Sequence, residues 1–396
     1  MNALLNEICG KYTIPQETKA AGIYPYYKPI SSGQDPIVKM ADGSSVMMFG
    51  SNSYLGLSDD PRLKEAAIKA IEKYGTSCSG SRFLNGTLDI HEELEEKLAR
   101  FVGKDQAVTF STGFQVNLGV ISALGFRGGY ILLDDTDHAC IIDGSRLSWS
   151  TVYKFKHNDM EALEKKLKAC EPDAPKMIVV DGVYSMLGDL CPLPQICELA
   201  EKYNASVMVD DAHGLGVFGK NGSGTADYFG LTDKVDLIMG TFSKSFGSLG
   251  GFIAGSEPVI NYLKHNARSL IFSASMTPAA VAAASKALDI MQSEPERIEH
   301  LWDITRYAHA KFRENGFDIN ATQSPIIPLM VRDTRKAMQI VTLAYNEGVF
   351  ITPVIAPAVP EKDVLIRFAL MATHTKEHID IAVEKLTKIF KQLDVI

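Results

Sequence analysis

Lysine, aspartate and histidine stand just behind apolar runs in this 396-residue chain. Asp210 and His213 close the stretch "ASVMVDDAHGLG", and Lys244 follows "VDLIMGTFS". A lysine at the end of a buried strand is itself partly buried. Burial lowers its pKa and makes the amine a nucleophile able to form a Schiff base. An aspartate on a neighbouring strand end can keep a heterocyclic nitrogen protonated. A Schiff-base lysine and a carboxylate for the pyridinium are the pair that pyridoxal phosphate requires. Taken singly, Lys244 could equally snorkel from a strand end and Asp210 could cap a turn.

A phosphate needs its own site. In "FSTGFQVN", Ser111, Thr112 and Gly113 lie between an apolar run and a helical pattern. Free backbone N–H groups and a helix dipole would face an anion there; an ordinary Ser/Thr N-cap fits the same residues. The hydroxyls of Thr241 and Ser243, on either side of the lysine's approach, could reach the same phosphate. His138 opens a helix after "YILLDD". Its flat imidazole could lie over a flat cofactor ring, or simply cap the helix.

Three other motifs lead elsewhere. Gly214, Gly216 and Gly219 spell the dinucleotide fingerprint, but "KNGSGTADYFG" follows, which is poor helix material. Gly214, Gly219 and Lys220 nearly spell a P-loop, but Asn221 stands where a magnesium-holding hydroxyl belongs. A turn-rich connection that lets the backbone pass close to a neighbour fits these glycines better than a nucleotide-binding protein does. "HTKEH", from His374 to His378, matches a zinc pattern, but it reads as the solvated start of the last helix. No third ligand is in view, and no metal site is expected.

These residues need a scaffold. "DQAVTF", "YILLDD", "KMIVVDGV", "ASVMVDD", "VDLIMGTF" and "GGFIAGS" are apolar throughout rather than alternating, and most are interleaved with amphipathic helices. That pattern predicts an α/β fold with a mostly parallel sheet buried on both faces. Ligands sit beyond the carboxyl ends of such strands, where the residues named above lie. From about residue 275 the pattern changes to long helices over 277–292 and 296–315, the runs "SPIIPLMVRD" and "DVLIRFALMAT", a helix over 334–347 and a last one from about 375. The expected organisation is an N-terminal arm over 1–50, a large cofactor-binding domain over 51–290 and a small α+β domain over 291–396.

Composition narrows the function classes. A net charge of −8 gives no basic face for nucleic acid. No stretch reaches the ~18 apolar residues of a membrane span, and "MNALLNEICGKYT" lacks the apolar core of a signal peptide. The six cysteines form no C-x-x-C pair, which suits free thiols in a reducing cytoplasm.

The ordered set "SNSYLGL", "GSRFLNGTLDIHEELEEKLA", "FSTGFQVN", "DDTDHACIIDG", "VDDAHGLGVFG" and "GTFSKSFGSLGG" resembles the α-oxoamine synthases, which are fold-type I pyridoxal-phosphate enzymes. The likeness runs from about residue 20 to 390. It implies a PLP-dependent acyltransferase, a homodimer with shared active sites, and a decarboxylative condensation of an amino acid with an acyl-CoA. The pairing it favours is L-serine with a long-chain acyl-CoA; glycine with acetyl-CoA and the amino-oxononanoate synthase reaction are the alternatives. By the same resemblance, Lys244 carries the cofactor, Asp210 pairs with the pyridine nitrogen, and His213 bonds the phenolic oxygen with Ser185. His138 stacks on the ring and helps to orient the substrate. Gly113 and Phe114 offer backbone to the phosphate, joined by Thr241 and Ser243, with Ser273 and Ala274 reaching in from the partner subunit. Asn52 and Arg367 match positions near the amino-acid carboxylate, where a guanidinium fork suits; Arg367 could also be a surface ion pair. The chain departs from some relatives in having no arginine in "TPVIAPAVPEKD" and in Phe246 and Gly247 after the lysine.

Overall fold

The computed structural model describes residues 3–396. In chain order the strands are β1 (Ile37–Lys39), β2 (Ser45–Met48), β3 (Gln106–Phe110), β4 (Tyr130–Asp134), β5 (Thr151–Phe155), β6 (Lys176–Asp181), β7 (Ser206–Asp210), β8 (Leu237–Thr241), β9 (Gly251–Gly255), β10 (Ile326–Met330), β11 (Val349–Phe350), β12 (Thr352–Val354) and β13 (Leu365–Ala369). Seven of them form the central sheet, in the order β3-β9-β8-β7-β6-β4-β5. Only β9 runs against the rest.

The apolar runs are explained by what covers them. Ile178 and Val180 of β6 enter one core with Leu193 and Ile196 of the helix Leu193–Tyr203. Met177 and Val179 point the other way, into a second core with Val116 and Val120 of the helix Gly113–Leu124. With both faces covered, every residue of β6 is buried. Burial of each such large aliphatic side chain contributes about 1.5–3 kcal/mol, so a polar residue at any of these positions would be costly.

In the central sheet the sequence expectation lacks β5; outside it, β1, β2, β11 and β12 are also unforeseen. The exposed and half-buried residues of β5, Thr151 to Lys154, sit at the sheet edge. A strand there needs only one good neighbour and carries polar residues, so it lacks the apolar signature.

Beyond the central sheet, the helices Pro278–Ser293, Glu296–Glu314, Thr334–Asn346 and Lys376–Gln392 match the expected ones. A second sheet, β10-β13-β12, is antiparallel and sets Arg367 opposite Pro328 and Thr352. The third sheet joins the chain's two ends: β2 pairs in parallel with β11.

The glycine corner encloses a carboxylate of its own chain. Asp211 is fully buried and accepts from the Thr225 N–H at 2.6 Å and the Thr225 hydroxyl at 2.9 Å. A Cβ on Gly214 would lie 1.9 Å from Asp211 Oδ1, so only glycine fits. Gly216 has φ +76° and lies against Ser245, whose hydroxyl donates to Leu215 O at 2.7 Å. The corner therefore buttresses the turn that carries Lys244.

One expectation is corrected. His374 does not lie on a solvated helix start. It is fully buried, its ring stacked 4.4 Å from Phe49 and its Nδ1 accepting from Met371 N at 3.0 Å. β13 delivers the segment into the core before the helix begins. His378 alone belongs to the helix start, in a reciprocal cap with Thr375.

Candidate active site

Five strands end on one edge of the central sheet, and the turns beyond them hold the expected residues. Ser111 to Gly113 follow β3, His138 follows β4, and Ser185 follows β6. Asp210 ends β7 with His213 beyond it, and Thr241 ends β8 with Ser243 and Lys244 beyond it. Parallel register makes this convergence: Asp181 stands opposite Asp210, and Asp210 opposite Met239.

Lys244 is partly buried, and its amine makes no hydrogen bond or ion pair among the described residues. Burial lowers its pKa to about 8, although Asp210 and Asp181 act to raise it. The snorkelling alternative for Lys244 therefore gives way to an amine held near neutrality. Asp210 is buried and shared between two roles. Oδ1 accepts from Ala212 N at 3.0 Å, as a turn cap does. Oδ2 accepts from Asn117 Nδ2 at 2.6 Å.

His138 caps its helix and still leaves its ring open to the site. Its Nδ1 accepts from Cys140 N at 3.2 Å, which caps the helix Ala139–Arg146. The residue is nonetheless exposed on the site side, with Phe114 edge-on at 6.5 Å. Its backbone N–H donates to Asp181 Oδ2 at 2.8 Å. Crowding lowers the imidazole pKa, through loss of solvation first. Behind it, Asp137 and Asp181 are buried among carboxylates, and both are raised well above the usual range, by burial first.

His213 is buried, and desolvation drives its pKa well down, so the ring is neutral. Its Nδ1 lies 2.6 Å from the Tyr54 hydroxyl. Arg367 Nη2 donates to that same hydroxyl at 3.0 Å, and Arg367 Nε donates to Ser185 O at 2.8 Å. Arg367 is 6% exposed and makes no ion pair among the described residues, which removes the surface-pair alternative. Asn52 Oδ1 lies 3.5 Å from the Tyr54 hydroxyl.

The anion cradle forms where β3 meets its helix. Thr112 Oγ1 accepts from Gln115 N at 3.2 Å. Thr241 Oγ1 lies 2.9 Å from Ser243 Oγ, and a Cβ on Gly113 would come within 2.8 Å of Thr241 Oγ1. Ser273 and Ala274 lie against this cradle in the same chain: Gln115 Nε2 donates to Ser273 Oγ at 3.1 Å, and Ser111 Oγ donates to Ala274 O.

Sequence reasoning missed Tyr54, Asn117 and Cys140. Each lies inside a motif quoted for its neighbours, and only proximity reveals its part. Phe246 is fully buried against Phe242, 5.2 Å between ring centres, so it packs the core rather than facing a substrate. At Gly247 (φ +59°), a Cβ would come within 2.8 Å of Ser58 N.

An unpaired amine, a buried carboxylate, two neutral imidazoles and a glycine-floored hydroxyl cradle converge on one edge. That donor set fits pyridoxal phosphate: a nucleophile for its aldehyde, an anion for its pyridinium and a nest for its phosphate.

The model of the aminotransferase class I and II family matches residues 44–386. A serine palmitoyltransferase of Bacteroides thetaiotaomicron is 61% identical over 393 residues, 99% of this chain and 100% of that protein. A serine palmitoyltransferase of Sphingobacterium spiritivorum is 58% identical over 391 residues, covering 99% of this chain and 98% of that one. A solved serine palmitoyltransferase from S. paucimobilis, with a bound PLP–myriocin aldimine, superposes with a TM-score of 0.96 at 33% identity and covers 100% of both chains.

Proposed function

This chain belongs to the aminotransferase class I and II family and, within it, to the α-oxoamine synthases, and from that premise we propose that it condenses L-serine with a long-chain acyl-CoA to 3-ketodihydrosphingosine, the first step of sphingolipid synthesis. Near-full-length identity to serine palmitoyltransferases carries the assignment. The chain is a PLP-dependent acyltransferase. Pyridoxal phosphate supplies the electron sink that makes the amino acid's Cα acidic.

The residues divide the work by their chemistry. Lys244 carries the cofactor at rest. Once displaced, it is an amine with a pKa near the working range, suited to take the Cα proton. Asp210, held by Asn117 and the Ala212 N–H, would take the ring nitrogen, as an acceptor that favours its protonated form. His213 and Ser185 take the phenolic oxygen. Gly113, Phe114, Thr241 and Ser243 take the phosphate. His138, Asn52 and Arg367 orient the serine carboxylate, which decides the Cα bond that breaks first. With the cofactor bound, the serine Cα would take the acyl group from the thioester and release CoA; loss of the carboxylate as carbon dioxide would then leave Cα needing a proton, which the Lys244 amine, having taken the first one, is placed to return.

The active unit in this reading is a homodimer, in which Ser273 and Ala274, held against this chain's own cradle, would also reach towards the partner's phosphate. Phe83, Leu84 and Phe272 support it: they are 51%, 76% and 73% exposed on adjoining loops, tied where Ser275 N donates to Gly80 O at 2.9 Å. Apolar side chains grouped in this way call for a cover. The free thiols and the acyl-CoA substrate favour a cytoplasmic setting. Among the described residues no helix is long and apolar enough to cross a membrane.

A paired experiment tests the assignment. The holoenzyme is titrated with serine, glycine and alanine by absorbance, and thiol release is then measured from acetyl-, pimeloyl- and palmitoyl-CoA. Serine with palmitoyl-CoA should turn over. Glycine and alanine should react poorly, because a site that reads a hydroxyl can reject analogues lacking it by roughly 10⁴–10⁵. Turnover of glycine with acetyl-CoA, and none of serine with palmitoyl-CoA, would overturn it in favour of glycine C-acetyltransferase; turnover with pimeloyl-CoA alone would favour 8-amino-7-oxononanoate synthase.

A further inference from the structure

We infer that Asn117 and Cys140 form a directional hydrogen-bond relay from Asp210 to His138, and that this relay fixes the His138 ring with its proton on Nε2. The inference rests on the substrate reading above only for its consequence, not for its geometry.

Direction is set at the Asp210 end. Asn117 Nδ2 lies 2.6 Å from Asp210 Oδ2 and 3.0 Å from Cys140 Sγ. An ionised carboxylate only accepts. The reversed amide would set two oxygens at 2.6 Å, so the amino end must face Asp210. The opposite end, Asn117 Oδ1, is buried with no partner among the described residues. An orphaned buried acceptor is costly, and it persists here because both amide protons are in use.

The second amide proton goes to Cys140 Sγ, so the sulfur accepts there and its own proton is free to be donated. Cys140 Sγ lies 2.7 Å from His138 Nδ1. Burial pushes the thiol's pKa well up and keeps it protonated. The backbone N–H of Cys140 reaches the same nitrogen at 3.2 Å. Two donors on one ring nitrogen require a lone pair there, and a neutral imidazole then carries its proton on Nε2. Nε2 has no protein partner among the described residues, and His138 is exposed on the site side.

The consequence is a donor aimed at the substrate. A carboxylate is attracted by Nε2–H and repelled by a bare Nε2 lone pair. Cys140 is thus a positioning residue: it acts through His138, and the backbone cap alone is the weaker lock.

The test uses three variants and two readouts. Cys140→Ala and the isosteric Cys140→Val remove the side-chain donor; Cys140→Ser restores one. The ¹⁵N-imidazole spectrum of cofactor-free protein, assigned with His138→Gln, reports the tautomer without any turnover. Wild type and Cys140→Ser should show a bare Nδ1 and a protonated Nε2. Cys140→Ala and Cys140→Val should shift protonation towards Nδ1. In the holoenzyme those two should raise the KM for serine about three- to tenfold, with affinity for pyridoxal phosphate unchanged. A wild-type spectrum and KM in both donor-free variants would overturn the relay, and so would failure of Cys140→Ser to rescue. If the spectra behave as stated but wild type does not turn over serine with palmitoyl-CoA, the substrate assignment falls and the relay stands.

Discussion

The hydroxyl of Tyr54 lies 2.6 Å from Nδ1 of His213. Arg367 donates to the same oxygen at 3.0 Å, so one buried hydroxyl ties the guanidinium to the imidazole. Two neutral histidines, His213 and His138, are thus each held at Nδ1 by a separate chain, the first through Tyr54 and Arg367 and the second through Cys140.

Tyr54→Phe removes one of those chains without changing the volume. The variant leaves the Arg367 Nη2 and His213 Nδ1 contacts unpaired in a buried place. Stability should fall by about 1–3 kcal/mol, and the KM for serine should rise more than kcat falls. Denaturant melts and steady-state kinetics measure both; an unchanged KM would remove Tyr54 from the site.

Lys244 should betray its environment through the pH dependence of cofactor capture. Only the neutral amine attacks an aldehyde. With a pKa lowered to about 8, capture of pyridoxal phosphate by cofactor-free protein should rise with pH and level off just above 8. An ordinary lysine would keep gaining towards about 10.4. Stopped-flow absorbance gives the midpoint, and a value near 10 would mean that the amine is not desolvated. Borohydride reduction of the holoenzyme should add the cofactor's mass at Lys244, and Lys244→Ala should lack both that mass and turnover.

The floor of the phosphate cradle can be raised by one carbon. In Gly113→Ala the new Cβ meets Thr241 Oγ1, which is already committed to Gly250 O at 3.0 Å. Affinity for pyridoxal phosphate should drop about tenfold, the order expected for a lost charge-assisted hydrogen bond. Affinity for pyridoxal, which lacks the phosphate, should not change. Equal losses for the two compounds would point to a general distortion.

His157 sits between Asp134 at 3.0 Å and Asp189 at 2.8 Å. Burial alone would depress it, but the two carboxylates raise its pKa to about 10. A raised pKa stabilises the fold fully below the unfolded value of about 6.5, and the contribution disappears as pH rises through about 10. His157→Gln should therefore cost about 2 kcal/mol at pH 6, the order of a hydrogen bond to a charged group, and little above pH 10. Urea melts across that range give the difference, and a constant gap would show that packing against Tyr184, 4.4 Å away, matters more than charge.

The strands of the central sheet were legible because their burial on both faces forces unbroken apolar runs, as in "KMIVVD" and "SVMVD". The residues that close those runs were legible for the same reason: a polar group directly after a fully buried strand has one place to go, the strand's carboxyl edge. Lys244, Asp210, His138 and the Ser111–Gly113 cradle could therefore be grouped from order and residue type alone. β5 escaped because an edge strand needs no such pattern, and His374 was misplaced because the path of the chain after β13 is set by packing on Phe49. The remainder required tertiary structure. Tyr54, Asn117 and Cys140 stand 159, 93 and 2 residues from His213, Asp210 and His138, the residues whose atoms they touch. Hydrogen-bond direction depends on atoms meeting at under about 3.2 Å; for the first two pairs, so far apart in the chain, only the fold sets that distance, and Cys140, a near neighbour of His138, is brought into the network by Asn117, 23 residues away. The sequence determined which chemical groups gather at the edge; the folded structure decided which of them donate and which accept.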